Sequence, residues 1–431
     1  MAAHGLPRFP KRRALKLRNI HRLRFAVWAA LGILTGVMAS AYAAPNPVSG
    51  PRTANPVSGP TKSGDGYQTP AAHAILIEAD SGSVLFEKAA DDLIPPASLS
   101  KLMTAEVIFN ELKQGRLKPT TEFSVSTNAW RKGGAPSRTS AMFLSIHSKV
   151  AVDDLLHGVI IQSGNDACIV LAEGISGSEN EFAEMMTKRA REIGLAKSTF
   201  GNSNGLPHPR QLMTSRELGK LARHIIQSYP EYYKIYGERE FTWGKIRQYN
   251  RNPLLNLNIG ADGMKTGFTK EAGYGLVGSA VQNGTRLIVV VNGLRSEKER
   301  ADEGRRLLEW GFNNFQSGIL FAEGQEIADA KVYGGEKGSV PLVAGKAVKL
   351  MVPKATREKI IARVVYNGPV RAPVEEGQKI GTLKVWRNEA LALEVPLQAA
   401  EGVGPGPIHK RAIDAASELV IGLFRAGFQK L

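Results

Sequence analysis

The stretch "PPASLSKLMTAEVIFNEL", which runs from Pro95 to Leu112, guides the interpretation of the whole chain. Two prolines and small polar residues ahead of an apolar-periodic run are typical of a helix start. We therefore expect Ser98 in the first turn, where backbone N–H groups are unpaired and the potential is positive. Lys101 follows three residues later, so its side chain should return over the same face.

Ser98 can be interpreted either as a helix cap or as a nucleophile. A desolvated lysine with a lowered pKa can take the proton of a hydroxyl group, and the helix end can stabilise the negative charge that develops. The Ser-x-x-Lys pattern alone does not decide between the two, because both residue types are common. If Ser98 is the nucleophile, Lys101 should be buried and largely neutral at working pH.

Two further short motifs follow in order along the chain. "SGN" at 163–165 comes after the apolar "LLHGVIIQ", and "KTG" at 265–267 begins the second block of predicted strands. With Ser98 and Lys101 they resemble the set Ser-x-x-Lys, Ser-x-Asn, Lys-Thr-Gly of the penicillin-recognising serine enzymes. "PPASLSKLMTA", "IIQSGNDA", "FGNSNGLP" and "DGMKTGFT" are similar to the low-molecular-mass penicillin-binding proteins, which are D-alanyl-D-alanine carboxypeptidases.

The resemblance implies a role for each matched residue. Ser98 would attack the carbonyl of the penultimate D-alanine and become acylated, Lys101 would act as its base, and Ser163 would relay a proton to the leaving amine. The backbone N–H groups of Ser98 and Phe268 would hold the oxyanion, and the Phe268 side chain could shift substrate preference. The implied substrate-binding residues are Asn165, Lys265, Thr266, Gly267, Phe268 and Arg300. For Arg300 the alternative of a surface arginine stays open.

The order of predicted elements indicates an α+β, multidomain fold. A strand hairpin in "AHAILIEADSGSVLFEK" is followed by a helical block, more strands and the helix "ERADEGRRLLEWGFNNF". This order predicts one antiparallel sheet assembled from both ends of a catalytic domain at 67–316, with helices against it and a helical subdomain inserted. It agrees with the β-lactamase/transpeptidase-like domain that the resemblance implies. Short alternating runs at 320–398 predict a small all-β domain.

The two ends of the chain are interpreted as targeting and membrane segments. Residues 1–43 combine a basic stretch, an apolar run and the small residues of a signal-peptidase site, with an uncleaved signal anchor as the alternative. Residues 44–66 are a Pro/Gly/Ser-rich linker. Residues 408–431 form an amphipathic pattern that predicts a helix in the membrane interface, with packing on the preceding domain as the alternative.

Composition excludes several classes of function. The formal charge of +16 includes eight Lys or Arg in residues 1–44, so the remainder carries +8 without a dense basic face, and nucleic-acid binding is not indicated. Cys168 is the only cysteine, so an intramolecular disulfide is impossible, and it is interpreted as a buried small hydrophobe. We expect no cofactor and no metal site, and His208 is interpreted as structural or solvated.

These patterns predict an exported enzyme at the periplasmic face of the bacterial inner membrane, peripherally anchored. The resemblance implies peptidoglycan stem peptides as substrates and β-lactams as covalent inhibitors, and the amphipathic tail predicts the membrane surface as a further partner. A class A β-lactamase is the nearest alternative, but "LAKSTFGNSNGLPHP" at 195–209 lacks the acid that such an enzyme needs for deacylation. A catalytically idle wall-binding scaffold is the second alternative, and carboxypeptidase and endopeptidase action are not separated.

Overall fold

The computed structural model describes residues 67–355, 359–387, 390–412 and 414. The predicted signal peptide and linker, and most of the predicted tail helix, lie outside these residues; the chain is helical at 408–412. Within the described part, no helix has the length and apolar character needed to cross a membrane.

The described chain alternates between strands and helices in the predicted order. The helices are α1 (Lys101–Lys113), α2 (Thr127–Gly133), α3 (Val152–His157), α4 (Asn165–Ser176), α5 (Glu179–Glu192), α6 (Ser215–Ser228), α7 (Pro230–Tyr233) and α8 (Glu297–Asn314). The first nine strands are β1 (His73–Glu78), β2 (Val84–Lys88), β3 (Glu122–Ser124), β4 (Lys149–Ala151), β5 (Glu240–Trp243), β6 (Ile246–Tyr249), β7 (Ala261–Thr269), β8 (Gly273–Gln282) and β9 (Thr285–Leu294). The last eight are β10 (Phe315–Phe321), β11 (Glu326–Tyr333), β12 (Ser339–Ala344), β13 (Val348–Pro353), β14 (Ile360–Tyr366), β15 (Val370–Arg371), β16 (Lys379–Arg387) and β17 (Ala390–Ala399).

A five-stranded antiparallel sheet of order β2-β1-β9-β8-β7 forms the centre of the first domain. Because β9 pairs with β1, the sheet joins the two ends of the domain, which confirms the predicted arrangement. Strand β7, which carries the Lys-Thr-Gly motif, lies at one edge. An edge strand presents unpaired N–H and C=O groups, so this edge can take up an extended ligand.

Helices cover both faces of this sheet, which explains why β1 is apolar without alternation. On one face α6 packs so closely that a Cβ added at Gly219 would lie 2.6 Å from Ile77 Cδ1. On the other face α8 packs against Leu76, the residue before Ile77 in β1, and a Cβ added at Gly311 would lie 2.6 Å from Leu76 Cδ2. Ile77 and Leu76, which are neighbours in β1, therefore belong to two separate hydrophobic cores, one on each face of the sheet.

The second domain is all-β, as predicted. A six-stranded sheet of order β14-β16-β17-β12-β11-β15 lies beside the pair β10–β13 and encloses its own apolar core. Hydrogen bonds connect it to the β1–β2 hairpin, among them one from the Met351 N–H to Ser83 Oγ (3.4 Å) and one from Arg387 Nη2 to the Leu85 carbonyl (3.0 Å).

A buried carboxylate ties α1 to the helices beside it. Glu106 in α1 is fully buried and accepts hydrogen bonds from Arg189 Nη2 (2.9 Å) and the Tyr229 hydroxyl (3.0 Å). His224 Nε2 lies 3.2 Å from the same oxygen. Because α1 begins with Lys101, these contacts also hold the helix that carries the candidate base.

We predict that Glu106→Ala lowers the free energy of unfolding by about 3 kcal/mol, because Arg189 and Tyr229 lose their buried partner. Urea denaturation followed by circular dichroism measures the loss. Glu122→Ala, which removes an exposed carboxylate in β3, is the control and should unfold like the parent. Equal urea midpoints for Glu106→Ala and the parent would contradict the prediction.

Candidate active site

Ser98 and Lys101 lie at the start of α1 and contact each other directly. Residues 97–100 form a single 3₁₀ turn, and α1 begins at Lys101. The helix start has no side-chain cap, so the cap interpretation of Ser98 is wrong. Instead Lys101 Nζ donates to Ser98 Oγ at 2.9 Å, while Ser98 itself is half-buried and reachable from the cleft.

The 3₁₀ turn rests on a loop that was not assigned a role from the sequence. Lys101 Nζ also donates to the Asn204 carbonyl oxygen at 2.5 Å. Next to it, Gly205 has φ +83°, and a Cβ there would lie 2.1 Å from the Ala97 carbonyl oxygen. Ala97 itself has φ 49°, a strained conformation for a residue other than glycine. The turn and the loop are therefore in main-chain contact.

Burial lowers the pKa of Lys101 to about 8, and the nearby Arg251 guanidinium lowers it further, while Cys168 and Asp166 act in the opposite direction. The predicted direction is confirmed. The expectation of a largely neutral lysine is wrong in degree, since with a pKa of about 8 most Lys101 side chains carry the ammonium form at pH 7. Even so, the neutral fraction is far larger than for a solvated lysine, whose pKa is about 10.4.

The Ser-Gly-Asn motif lies where a π-helical turn meets α4. Residues 158–162 make a π-helical turn, and the Gly164 N–H closes it by donating to the Gly158 carbonyl (2.9 Å). Ser163 takes the left-handed conformation at φ 66° and ψ 33°, and α4 then begins at Asn165. Ser163 Oγ and Asn165 Oδ1 are buried and have no hydrogen-bond partner among the described residues.

Asp166, which the sequence did not single out, attaches the loop at 139–144 to the start of α4. Its buried carboxylate accepts from the Met142 N–H (2.8 Å) and the Leu144 N–H (3.1 Å). Burial raises the pKa of this carboxyl, and the backbone N–H donors partly offset the rise. Asp166 therefore has a structural role, and its charge is directed at the backbone.

Lys265 and Thr266 are both buried on β7, close to the 3₁₀ turn. Gly267 makes this approach possible, since a Cβ there would lie 3.1 Å from both Leu99 Cγ and the Pro96 carbonyl oxygen. Burial lowers the pKa of Lys265 well below its usual value, and the positive charges of Lys101, Arg251 and Arg300 lower it further. Four basic groups therefore gather in one cleft, which suits an anionic ligand.

Arg300 is buried, so the alternative of a surface arginine is wrong. Its guanidinium carbon lies 5.6 Å from the ring centroid of Tyr274, and its Nε has no hydrogen-bond partner within the described chain. The Phe268 ring also stacks on Tyr274, with the two ring centroids 4.2 Å apart. The Phe268 ring is 48% exposed at the rim of the cleft.

Arg251 is the basic residue that sequence reasoning missed. It donates from Nη1 to Ser140 Oγ at 2.6 Å, and burial lowers its pKa. It stands in the sequence "YNRNP", which contains no catalytic motif. Only the fold places it beside Lys101 and Lys265.

His208 and Cys168 are placed as interpreted from the sequence. His208 Nδ1 accepts from the Arg210 N–H (3.1 Å) within its own turn. Cys168 is a buried free thiol. In the part of the chain that the structure describes, no three His, Cys, Asp or Glu residues come together as metal ligands would.

We predict that Gly205→Ala lowers the rate of acylation by benzylpenicillin at least tenfold, because its Cβ would displace the turn that carries Ser98. Stopped-flow or gel-based acylation rates measure the effect. Gly194→Ala is the matched control: it has φ +82° but open space around a Cβ, so it should lose stability by about 1 kcal/mol and keep its acylation rate. Similar acylation rates in the two variants would refute this role of Gly205.

Comparison with known proteins places these observations in a family. Residues 59–296 match the family described as D-alanyl-D-alanine carboxypeptidase, and residues 315–404 match the C-terminal domain of penicillin-binding protein 5. The chain is 40% identical to D-alanyl-D-alanine carboxypeptidase DacC of Escherichia coli, over 79% of this chain and 86% of the relative. It is 39% identical to DacA of Haemophilus influenzae, over 83% of this chain and 91% of the relative.

Solved structures show the same likeness. Penicillin-binding protein 5 of Haemophilus influenzae superposes with a TM-score of 0.67 at 39% identity, covering 78% of this chain and 98% of that one. Penicillin-binding protein 6B of Escherichia coli gives 0.61 at 32% identity, covering 78% and 97%. Penicillin-binding protein D2 of Listeria monocytogenes, solved in a cefotaxime-bound form, gives 0.52 at 29% identity, covering 57% and 98%.

Proposed function

Because the chain belongs to the D-alanyl-D-alanine carboxypeptidase family of serine peptidases, we propose that Ser98 is the nucleophile of its reaction. The enzyme is a serine carboxypeptidase that acts on peptidoglycan. The reaction removes the terminal D-alanine from a pentapeptide stem. The observation that carries the assignment is the 2.9 Å contact between Ser98 Oγ and the buried Lys101 Nζ, which pairs a nucleophile with a base of lowered pKa.

In the first step, neutral Lys101 takes the proton of Ser98 as Oγ attacks the carbonyl carbon of the penultimate D-alanine. The backbone N–H groups of Ser98 and Phe268 hold the oxyanion that forms. When the peptide bond breaks, the leaving amine of D-alanine takes a proton from the Lys101 ammonium through Ser163, whose unpartnered hydroxyl is suited to such a relay. Water then attacks the ester carbonyl carbon and gives a proton to Lys101. As the bond from this carbon to Ser98 Oγ breaks, Lys101 passes that proton to Oγ, which restores the Ser98 hydroxyl and neutral Lys101 and releases the shortened stem as a carboxylic acid.

The basic cleft binds the terminal carboxylate of the substrate. Lys265, Thr266 and Arg300 provide the cation and hydroxyl donors, and Gly267 allows the β7 edge to approach Ser98. Because burial, and after it the neighbouring cations, depress the pKa of Lys265, a bound carboxylate should raise that pKa again and favour the charged, ion-paired form. Asn165 contacts the amide of the acyl residue.

The two alternatives fit less well. The loop at 195–209 contains no carboxyl side chain, so it lacks the water-activating acid of a class A β-lactamase. We therefore expect penicillin to acylate the enzyme and the acyl-enzyme to be hydrolysed slowly. An idle scaffold would not need a nucleophile, a base and a basic cleft assembled from four separate segments.

The proposal extends to location. A basic and apolar N-terminus at 1–43 supports export, and the amphipathic sequence at 408–431 supports peripheral attachment at the periplasmic face of the inner membrane. Relatives from Escherichia coli and Haemophilus influenzae are D-alanyl-D-alanine carboxypeptidases, whose substrates lie outside the cytoplasm. In this arrangement the all-β domain lies between the catalytic domain and the membrane.

We predict that Ser98→Ala abolishes labelling by fluorescent penicillin and release of D-alanine from a muropeptide pentapeptide, because the variant lacks the hydroxyl that forms the acyl ester in the proposed mechanism. Gel fluorescence and amino-acid analysis measure the two activities. Ser317→Ala, an exposed serine in β10, is the control and should retain both. Undiminished labelling of Ser98→Ala would place the nucleophile elsewhere, and an unlabelled parent would support the idle scaffold.

We predict that the second-order rate constant of acylation rises with pH. Lys101 acts in its neutral form, and with a pKa of about 8 that fraction grows about tenfold per pH unit below 8 and levels off above it. Benzylpenicillin acylation measured from pH 5.5 to 9 gives the profile. Lys101→Arg, which stays protonated throughout, should be inactive at every pH. A rate that does not change between pH 6 and 8 would rule out Lys101 as the base.

A further inference from the structure

The orientation of the Asn165 side chain is determined outside the catalytic motifs. Asn165 Nδ2 donates to Thr139 Oγ1 at 2.9 Å, and Oδ1 is left without a partner among the described residues. The nitrogen and oxygen of a side-chain amide have nearly the same size and shape, so packing alone does not choose between the two orientations. The hydrogen bonds of Thr139 make the choice.

A chain of hydroxyl groups gives Thr139 a fixed direction as a hydrogen-bond partner. Ser137 Oγ donates to the Gly134 carbonyl at 2.7 Å, which uses its single hydrogen. Ser137 Oγ must therefore accept from the Thr139 hydroxyl, which lies 2.7 Å away. With its own hydrogen used in this way, Thr139 Oγ1 can only accept from Asn165, and the amide must present its NH₂ group there.

The backbone keeps this chain of groups in place. A Cβ at Gly133 would lie 2.4 Å from the Asp166 backbone nitrogen, so the end of α2 is pressed against the start of α4. In addition, the Asn165 N–H donates to the Ser140 carbonyl at 2.7 Å. Main chain and side chain of Asn165 are therefore both bound to the segment at 139–140.

We propose that Thr139 and Ser137 are positioning residues that fix the orientation of the Asn165 amide for catalysis. The proposal rests on Asn165 binding the substrate in the proposed function. In this orientation Nδ2 keeps its second hydrogen for the carbonyl of the substrate amide. Oδ1 remains an acceptor for the Lys101 ammonium that forms when Ser98 loses its proton. The opposite orientation would turn an NH₂ group towards a cleft that already contains Lys101 and Lys265.

Substitutions at Thr139 test the proposal directly. Thr139→Val keeps the shape and removes the acceptor, so the rate constant of benzylpenicillin acylation should fall about 10- to 100-fold, as for a catalytic group that loses a buried hydrogen bond. Thr139→Ser keeps the hydroxyl and should restore most of the rate. Thr242→Val in β5, an exposed threonine, is the matched control and should behave like the parent.

Ser137 provides a readout that a general loss of loop structure would not give. Ser137→Ala does not touch Asn165, but it frees the Thr139 hydrogen and allows the amide to turn, so acylation should slow by roughly 3- to 10-fold, the effect of one neutral hydrogen bond. In the Thr139→Val background the same substitution should have no further effect. Parental rates in Thr139→Val, or additive losses in the double variant, would overturn the proposal.

A spectroscopic measurement separates this proposal from the proposed function. If the parent protein is not acylated by penicillin, the proposed function fails, and the positioning role is then measured from the side-chain ¹H–¹⁵N resonance of Asn165. That resonance should shift in Ser137→Ala and stay in place in Thr242→Val. An Asn165 resonance that is unchanged in Ser137→Ala would contradict the chain of hydroxyl groups.

Discussion

The burial of Lys101 is the constraint on which the rest of the site depends. Its side chain is 1% exposed, and burying an ammonium group is costly unless its hydrogens find acceptors. Ser98 Oγ and the Asn204 carbonyl meet this requirement, and they come from segments 106 residues apart. The 3₁₀ turn, the loop beneath it and the helix start are therefore assembled around one nitrogen atom. The same burial that demands these acceptors also lowers the pKa, so structure and reactivity have a common cause.

The charge distribution of the cleft follows from this constraint. Arg251 adds positive charge near Lys101 and Lys265, while the buried carboxylate of Asp166 is occupied by backbone N–H groups. The cleft thus holds several basic groups in a poorly solvated place, with Glu297 3.9 Å from Arg300 Nη2, and in the proposed function a substrate carboxylate would pair with them. In the proposed function, binding of the stem's terminal carboxylate and protonation of Lys265 would be linked for this reason. A neutral C-terminus would leave the same cations unpaired.

Much of the fold could be predicted from the sequence, because hairpin, helices and strands are each marked by local periodicity. The motif residues were also predictable, since Ser98, Ser163 and Lys265 each stand at the start of an element or on a strand edge. Arg251 and Thr139 could not be found in this way, because their roles arise from packing between segments distant in sequence. Asn204 acts through its main-chain carbonyl oxygen. Because nearly every residue type carries the same group, the sequence does not indicate which carbonyl contacts Lys101. The extent of Lys101 protonation depends on the depth of burial, which periodicity does not give.

Main-chain conformation contributes strongly to the positions of the proposed reacting groups. A side-chain substitution at the rim of the cleft should therefore have little effect on those positions. Ala97 and Ser163 hold left-handed conformations at φ 49° and 66°, each fixed by main-chain contacts. Phe268 would contribute its N–H to the oxyanion, so its ring is not part of the chemistry. That ring stacks on Tyr274, over which Arg300 lies. A change at 268 should therefore act through the position of Arg300 and alter substrate binding more than the rate of bond cleavage.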